Sequence, residues 1–100
     1  MASIVGAVSV PADPALTDRV VLVTAGARGL GLATSRLFQS EGARVHVGWR
    51  TPRPELEGLR AEFGGRLHHA DLARAESAEG LVAGVIARDG RLDVLVHPVG

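Results

Sequence analysis

The stretch Val20-Val-Leu-Val-Thr-Ala-Gly-Ala-Arg-Gly-Leu-Gly31 decides how the chain is read. Four apolar residues, Val20 to Val23, stop in a glycine-rich turn, and Leu30, Ala33 and Leu37 follow at helical spacing. That order predicts a buried strand, a tight loop and the start of a helix. Free backbone N–H groups and the positive end of the helix dipole converge above such a loop, so the unit suits an anion. Glycine serves there because a Cβ would clash with a positive φ or hold a phosphate at a distance. The first expectation is a site for the pyrophosphate of a dinucleotide.

Working outward, Leu30 to Ser40 reads as a helix with Leu30, Ala33, Leu37 and Phe38 inward, stopped at Glu41-Gly42. Ala43 to Trp49 reads as a second buried strand, closed by Arg50-Thr51-Pro52-Arg53-Pro54. A short helix is predicted over Glu55 to Phe63, ended by Gly64-Gly65, and a third strand over Arg66 to Ala70. Ala78, Leu81, Val82, Val85 and Ile86 lie at i, i+3, i+4, i+7 and i+8, the clearest helical period in the chain. Gly80 and Gly84 inside it each cost about 1 kcal/mol against alanine, so packing must hold it. Leu92 to Val96 reads as a fourth strand. Strands alternating with helices imply an α/β fold: a doubly wound parallel sheet, incomplete, of about four strands in the order 3-2-1-4 with three helices. The topological switch then lies between the first and fourth strands, where a ligand sits in open sheets of this kind.

The 100 residues, 46% hydrophobic and with no net formal charge, suit one small domain and carry no footprint for nucleic acid. No apolar run approaches the ~20 residues that cross a bilayer. Cysteine is absent, which removes disulfides and thiolate metal sites. Lysine and tyrosine are absent too. Residues 1–17, with Pro11 and Pro14, read as a flexible tail before a domain over 18–100, and lack the positive start of a secretory signal. A cytoplasmic protein is expected.

These residues together resemble the N-terminal half of a short-chain dehydrogenase/reductase, a Rossmann-like family that includes 3-oxoacyl-(acyl carrier protein) reductases. Thr24-Ala-Gly-Ala-Arg-Gly-Leu-Gly31 resembles the family's T-G-x-x-x-G-x-G loop, and Gly42-Ala43-Arg44-Val45 leads into a strand ending at Arg50. Asp71-Leu72 follows the third strand, and Leu92-Asp-Val-Leu-Val-His-Pro-Val-Gly100 resembles L-D-x-L-V-N-N-A-G. The resemblance implies that Thr24 and Gly26 belong to the cofactor loop, that Gly29 and Gly31 admit the pyrophosphate, and that the Leu30 N–H donates to it. It implies further that Asp71 bonds the adenine amino group, that Leu72 lies beside the ring, and that Gly100 approaches the nicotinamide ribose. His97 either bonds the cofactor or is a partly buried histidine at a strand end.

Cofactor choice follows from charge. Members using the unphosphorylated dinucleotide end the second strand with an acid that holds the ribose hydroxyls and repels a 2′-phosphate. Here Trp49-Arg50 stands there, and Arg28 can add a second cation, so NADP is expected over NAD. Arg50 and Arg53 otherwise read as solvated loop residues, and Trp49 as a stack on adenine or a cap on the sheet edge.

Two departures from the family pattern stand out. Ala25 replaces the first glycine, and a left-handed backbone there costs about 1–2 kcal/mol unless Gly26 takes the turn. His97-Pro98-Val99 replaces Asn-Asn-Ala, and Pro98 removes a backbone donor. The resemblance places the catalytic tyrosine, lysine and serine beyond residue 100, so no catalytic residue is assigned here and a small carbonyl substrate is expected only of a longer protein. The expectation is an NADP(H)-binding portion of a carbonyl-reducing oxidoreductase. The alternatives are a nucleotide-binding module without catalysis and an inactive truncated remnant. An uncovered edge at Val94 to Val96 is expected to promote homo-oligomer formation or self-association. His68 and His69 fall on opposite faces of a strand and cannot chelate one metal.

Overall fold

Val20–Val23 is buried at all four positions, as a strand covered on both faces must be. In this computed structural model, which describes residues 2–5 and 16–98, that strand lies inside a parallel sheet. The elements are β1 (Ala2–Val5), β2 (Val20–Val23), α1 (Gly29–Ser40), β3 (Arg44–Trp49), α2 (Leu56–Phe63), β4 (Leu67–His69), α3 (Ala75–Asp89) and β5 (Val94–His97). A 3-10 turn, Gly64–Arg66, joins α2 to β4. The sheet order is β1-β5-β2-β3-β4, so the four anticipated strands keep their 3-2-1-4 order and three helices cover them.

Strand alternation sorts the apolar residues into two layers. Val21, Val23, Val45, Val47, Val94 and Val96 pack with Phe38 of α1 and Leu56, Leu59 and Phe63 of α2. Val20 and Leu22 turn to the other face, against Leu81 and Val85 of α3. Each buried side chain of this size stabilises by about 1.5–3 kcal/mol, which is how a helix with two internal glycines holds its place. Asp93 fastens the lower end of the sheet: its Oδ2 accepts the Val20 N–H at 2.8 Å and its own N–H donates to Val20 O at 2.9 Å.

The expected flexible tail over residues 1–17 is corrected at Ala2–Val5, which forms the outer strand beside β5 in the register Ala2↔Val94, Ser3↔Leu95, Ile4↔Val96 and Val5↔His97. The edge expected to be bare is therefore paired. A four-residue strand is short enough to be hidden by the prolines that follow it in sequence.

Two helix faces also differ from expectation. On α1 the buried residues are Gly31, Thr34, Ser35 and Phe38, while Leu30 is 45% exposed and Ala33 faces solvent. The helix is rotated because its small residues must lie against the loop: Ser35 Oγ donates to Gly31 O at 2.8 Å and lies 3.2 Å from Gly26 O. On α3 only Leu81 and Val85 are buried, and Ile86 is 47% exposed.

Candidate functional site

Parallel strands deliver their C-terminal ends to one rim, and there β2, β3, β4 and β5 enclose a cleft of about 330 Å³. Its walls include Thr24, Arg28, Trp49, Arg50, Arg53, Asp71, Leu72, Leu81 and His97. Of the residues singled out from sequence, Thr24, Arg28, Arg50, Asp71, Leu72 and His97 meet in this one space. Gly26, Gly29, Leu30 and Gly31 form the turn and helix start beside it, and Gly100 lies outside the described residues.

The loop is held from two sides: Thr24 N–H donates to Val96 O at 3.0 Å and Gly26 N–H to Gly48 O at 2.9 Å, while Ala70 N–H donates to Trp49 O at 2.9 Å and ties the end of β4 to that of β3. Ala25 has φ +51, so the left-handed conformation falls on alanine and Gly26 does not relieve it. Gly26 is needed for another reason, since a Cβ there would lie 2.7 Å from Ser35 Oγ and 2.8 Å from Val23 O. We expect Ala25→Gly to raise stability by about 0.5–1 kcal/mol, the left-handed strain relieved less the added chain entropy. A denaturant midpoint that stays put or falls would contradict this.

The opening turn of α1 has no side-chain cap and no acidic residue, so its first N–H groups remain for an anion above the loop. Arg28, Arg50 and Arg53 make no ion pair with any described carboxylate, whereas seven of the other arginines do. Leu72 leaves 38% of its surface exposed on the cleft wall. Asp71 is placed by the chain around it: its N–H donates to Ser77 Oγ at 2.9 Å and its Oδ1 accepts the Ala73 N–H at 3.0 Å. Trp49 packs on His69 with centroids 4.4 Å apart and also lines the cleft, so it is fixed at the sheet edge and still faces a ligand. His97 is exposed and not partly buried, with Nδ1 2.7 Å from Thr24 Oγ1.

A second polar cluster lies on the α3 face of the sheet, at the opposite end of that helix. His46 is fully buried, with Nε2 2.6 Å from Asp89 Oδ2 and Nδ1 2.8 Å from His68 Nε2. The His46 and His68 ring planes are only 17° apart with centroids 5.1 Å apart, so the two rings meet edge to edge through an N–H···N bond and do not stack. Arg66 donates to both oxygens of Asp89 at 2.8 and 2.9 Å, and Arg44 adds a cation at 3.6 Å. Burial pushes His46 and His68 below the usual histidine range; the hydrogen bond to Asp89 opposes this at His46. The Arg66 guanidinium holds the Asp89 carboxyl well below the usual carboxylate range. His46 was not singled out from sequence. The available signal was its place between Val45 and Val47 in a strand covered on both faces, where a polar ring must find partners.

No described helix is long and apolar enough to cross a membrane, and among the described residues no three His, Asp or Glu side chains are placed to hold one metal ion.

The sheet order, the glycine loop and the cleft at the switch point define a dinucleotide-binding Rossmann fold. The chain belongs to the short-chain dehydrogenase family: residues 19–100 match the family described as short chain dehydrogenase. It is 38% identical over 90 residues to the short-chain dehydrogenase reductase ATA1 of Arabidopsis thaliana, covering 88% of this chain and 32% of that protein. It is 38% identical over 93 residues to the L-rhamnose 1-dehydrogenase (NAD(P)(+)) of Azotobacter vinelandii, covering 85% of this chain and 36% of that one. A putative ketoacyl reductase of the monensin polyketide synthase from Streptomyces virginiae is 37% identical over 92 residues, covering 84% and 34%. The crystal structure of gox2181 superposes with a TM-score of 0.68 at 32% identity, over 84% of this chain and 35% of that one. The chain thus spans about a third of the length of the proteins it matches.

Proposed function

We propose that this chain is the NADP(H)-binding portion of an oxidoreductase that reduces a carbonyl or oxidises an alcohol. The observation that carries the reading is the cleft's unspent charge: Arg28, Arg50 and Arg53 line it without an ion-pair partner among the described residues. Trp49-Arg50 stands at the end of β3, where a carboxylate would repel a 2′-phosphate. The site fits the adenosine half of a dinucleotide. Leu72 and Trp49 offer apolar surface to the base, Asp71 an acceptor for its amino group, and the arginines a planar fork for phosphate. The head of α1 receives the pyrophosphate.

The bound dinucleotide supplies the hydride; these residues bind and orient it. Thr24 and Gly26 fix the loop, and Gly31 brings α1 close beneath it. The family resemblance assigns the proton transfer at the substrate oxygen to a tyrosine, a lysine and a serine, and these 100 residues contain neither tyrosine nor lysine. That same composition favours a second reading, a nucleotide-binding module without catalysis. The intact mass of the gene product from its own cells separates the two. A mass well above the 10.4 kDa of these 100 residues supports the oxidoreductase, and 10.4 kDa supports the module.

Calorimetric titration tests the cofactor assignment. We expect NADP+ to bind more tightly than NAD+, and Arg50→Ala to weaken NADP+ by about tenfold or more, as loss of a charged hydrogen bond does, while leaving NAD+ nearly unchanged. Equal weakening of both would place Arg50 elsewhere than at the 2′-phosphate.

A further inference from the structure

Asp71 is the one carboxylate among the described residues that line the cleft. β4 ends at His69, and Ala70 N–H makes the next bond to the sheet, to Trp49 O at 2.9 Å. From Asp71 on, the chain has left the ladder, and its N–H needs another acceptor. Ser77 supplies it: its Oγ, reaching back from the first turn of α3, accepts the Asp71 N–H at 2.9 Å. Arg74 N–H donates to Asp71 O at 3.0 Å and Ser77 N–H to Arg74 O at 3.1 Å, so residues 71–77 close on themselves before the helix runs on. The bond to Arg74 travels with the turn. The bond to Ser77 fixes the first residue of the turn against a helix that is seated in the core by Leu81 and Val85.

The carboxylate itself is committed on one side. Its Oδ1 accepts the Ala73 N–H at 3.0 Å, an Asx turn, while Oδ2 has no hydrogen-bond donor among the described residues. Asp89 and Asp93 differ in this respect, since arginines and other donors occupy their carboxylates. Asp71 thus keeps an acceptor oxygen on the cleft wall, beside the exposed apolar surface of Leu72. Apolar surface with one placed polar group is what fixes the orientation of a planar ligand. Ser77 lies outside the cleft lining and acts on that oxygen only through the Asp71 main chain.

We propose, resting on the dinucleotide reading of the cleft, that Ser77 is the positioning residue for base selection: by holding the Asp71 main chain it keeps Oδ2 where it accepts the amino group of adenine. Hypoxanthine is the discriminating base, because it has the purine shape with a carbonyl where adenine carries the amino group. The Asp71 carboxylate then faces an acceptor and gains no hydrogen bond. A site built to bond a ligand N–H rejects the analogue that lacks it, because its own polar group is left unpaired.

The dissociation constants of NADP+ and of nicotinamide hypoxanthine dinucleotide phosphate are measured by calorimetry with the 100-residue chain as wild type, Ser77→Ala and Ser77→Thr. The wild type is expected to prefer NADP+ about tenfold, and Ser77→Ala to lower that preference to about threefold or less, chiefly by weakening NADP+. Ser77→Thr keeps the hydroxyl and should keep the preference. Ser77→Cys, which has a weak acceptor in the same shape, should lose it as alanine does and gives the comparison should alanine cost the fold. An intact preference in Ser77→Ala, whatever happens to the two affinities, makes Ser77 a residue of the fold alone and overturns the proposal, while the dinucleotide reading stands. A wild type that binds the two dinucleotides equally removes Asp71 from the base and overturns the proposal, again with dinucleotide binding intact. Binding of neither by the wild type overturns both.

Discussion

Asp89→Ala is expected to cost the fold about 3–5 kcal/mol, the range for removing one partner of a buried charge pair. Its side chain is 5% exposed, and it ends α3, where a negative charge opposes the helix dipole. It persists because Arg66 grips both of its oxygens and His46 donates to it from full burial. Alanine would leave the His46 Nε2–H without an acceptor and Arg66 without its partner. Asp89→Asn keeps an acceptor for one donor and is expected to cost less. Denaturant unfolding of both variants against wild type gives the comparison, and a loss under 1 kcal/mol in Asp89→Ala would show that the cluster contributes little.

The same cluster fixes the direction of the pH dependence. His46 and His68 have folded values below the ordinary 6.5, so under that pH the unfolded chain binds more protons than the folded one. Their contribution is whole above about pH 6.5 and is lost as pH falls. Asp89 is depressed below the ordinary 3.8, so its contribution is present above that pH and lost on further acidification. All three therefore lower stability in acid. Unfolding free energy should decline from pH 7 to 5, and His68→Gln, which keeps a donor for His46, should flatten that decline.

The parts of the molecule legible in the sequence are those where one physical rule acts alone. Val20–Val23 and the apolar run Val94, Leu95 and Val96 read as strands covered on both faces because those runs leave no polar face, and the parallel order followed from the helices between them. The cleft was legible for the same reason: strand ends fix where Thr24, Arg50, Asp71 and His97 converge, whatever their side chains do. What escaped reading depends on contacts across the sequence. Ala2–Val5 has too few residues to show a period, and only pairing with β5 makes it a strand. The face of α1 was misjudged because hydrophobicity pointed to Leu30 and Ala33, whereas close approach to the loop demands the small residues Gly31 and Ser35. His68 and Asp89 are 22 and 43 residues from His46 along the chain, and no local pattern links them.

That close approach makes Gly31 the position in the loop least able to accept a side chain. A Cβ built there would lie 2.1 Å from Ala25 O and 3.0 Å from Gly26 Cα. Both are backbone atoms. Ala25 already sits at φ +51, and Gly26 is fastened to Gly48 O at 2.9 Å, so neither can yield without breaking the loop from the sheet. Gly29, two residues earlier, meets nothing within 4 Å, and its only constraint is φ +54. The two glycines therefore predict different outcomes. Gly29→Ala should cost about 1–2 kcal/mol from backbone strain and leave cofactor binding weakened but measurable. Gly31→Ala should cost about 3 kcal/mol or more, at the upper end of overpacking, because relief requires α1 to move away from the loop. That movement displaces the N–H groups at the head of α1 from the anion position, so dinucleotide binding should be lost even where the fold survives. Thermal unfolding and NADP+ titration of the two variants decide the point. Equal stability losses, or retained binding in Gly31→Ala, would mean that the contact between the loop and α1 is not what shapes the site.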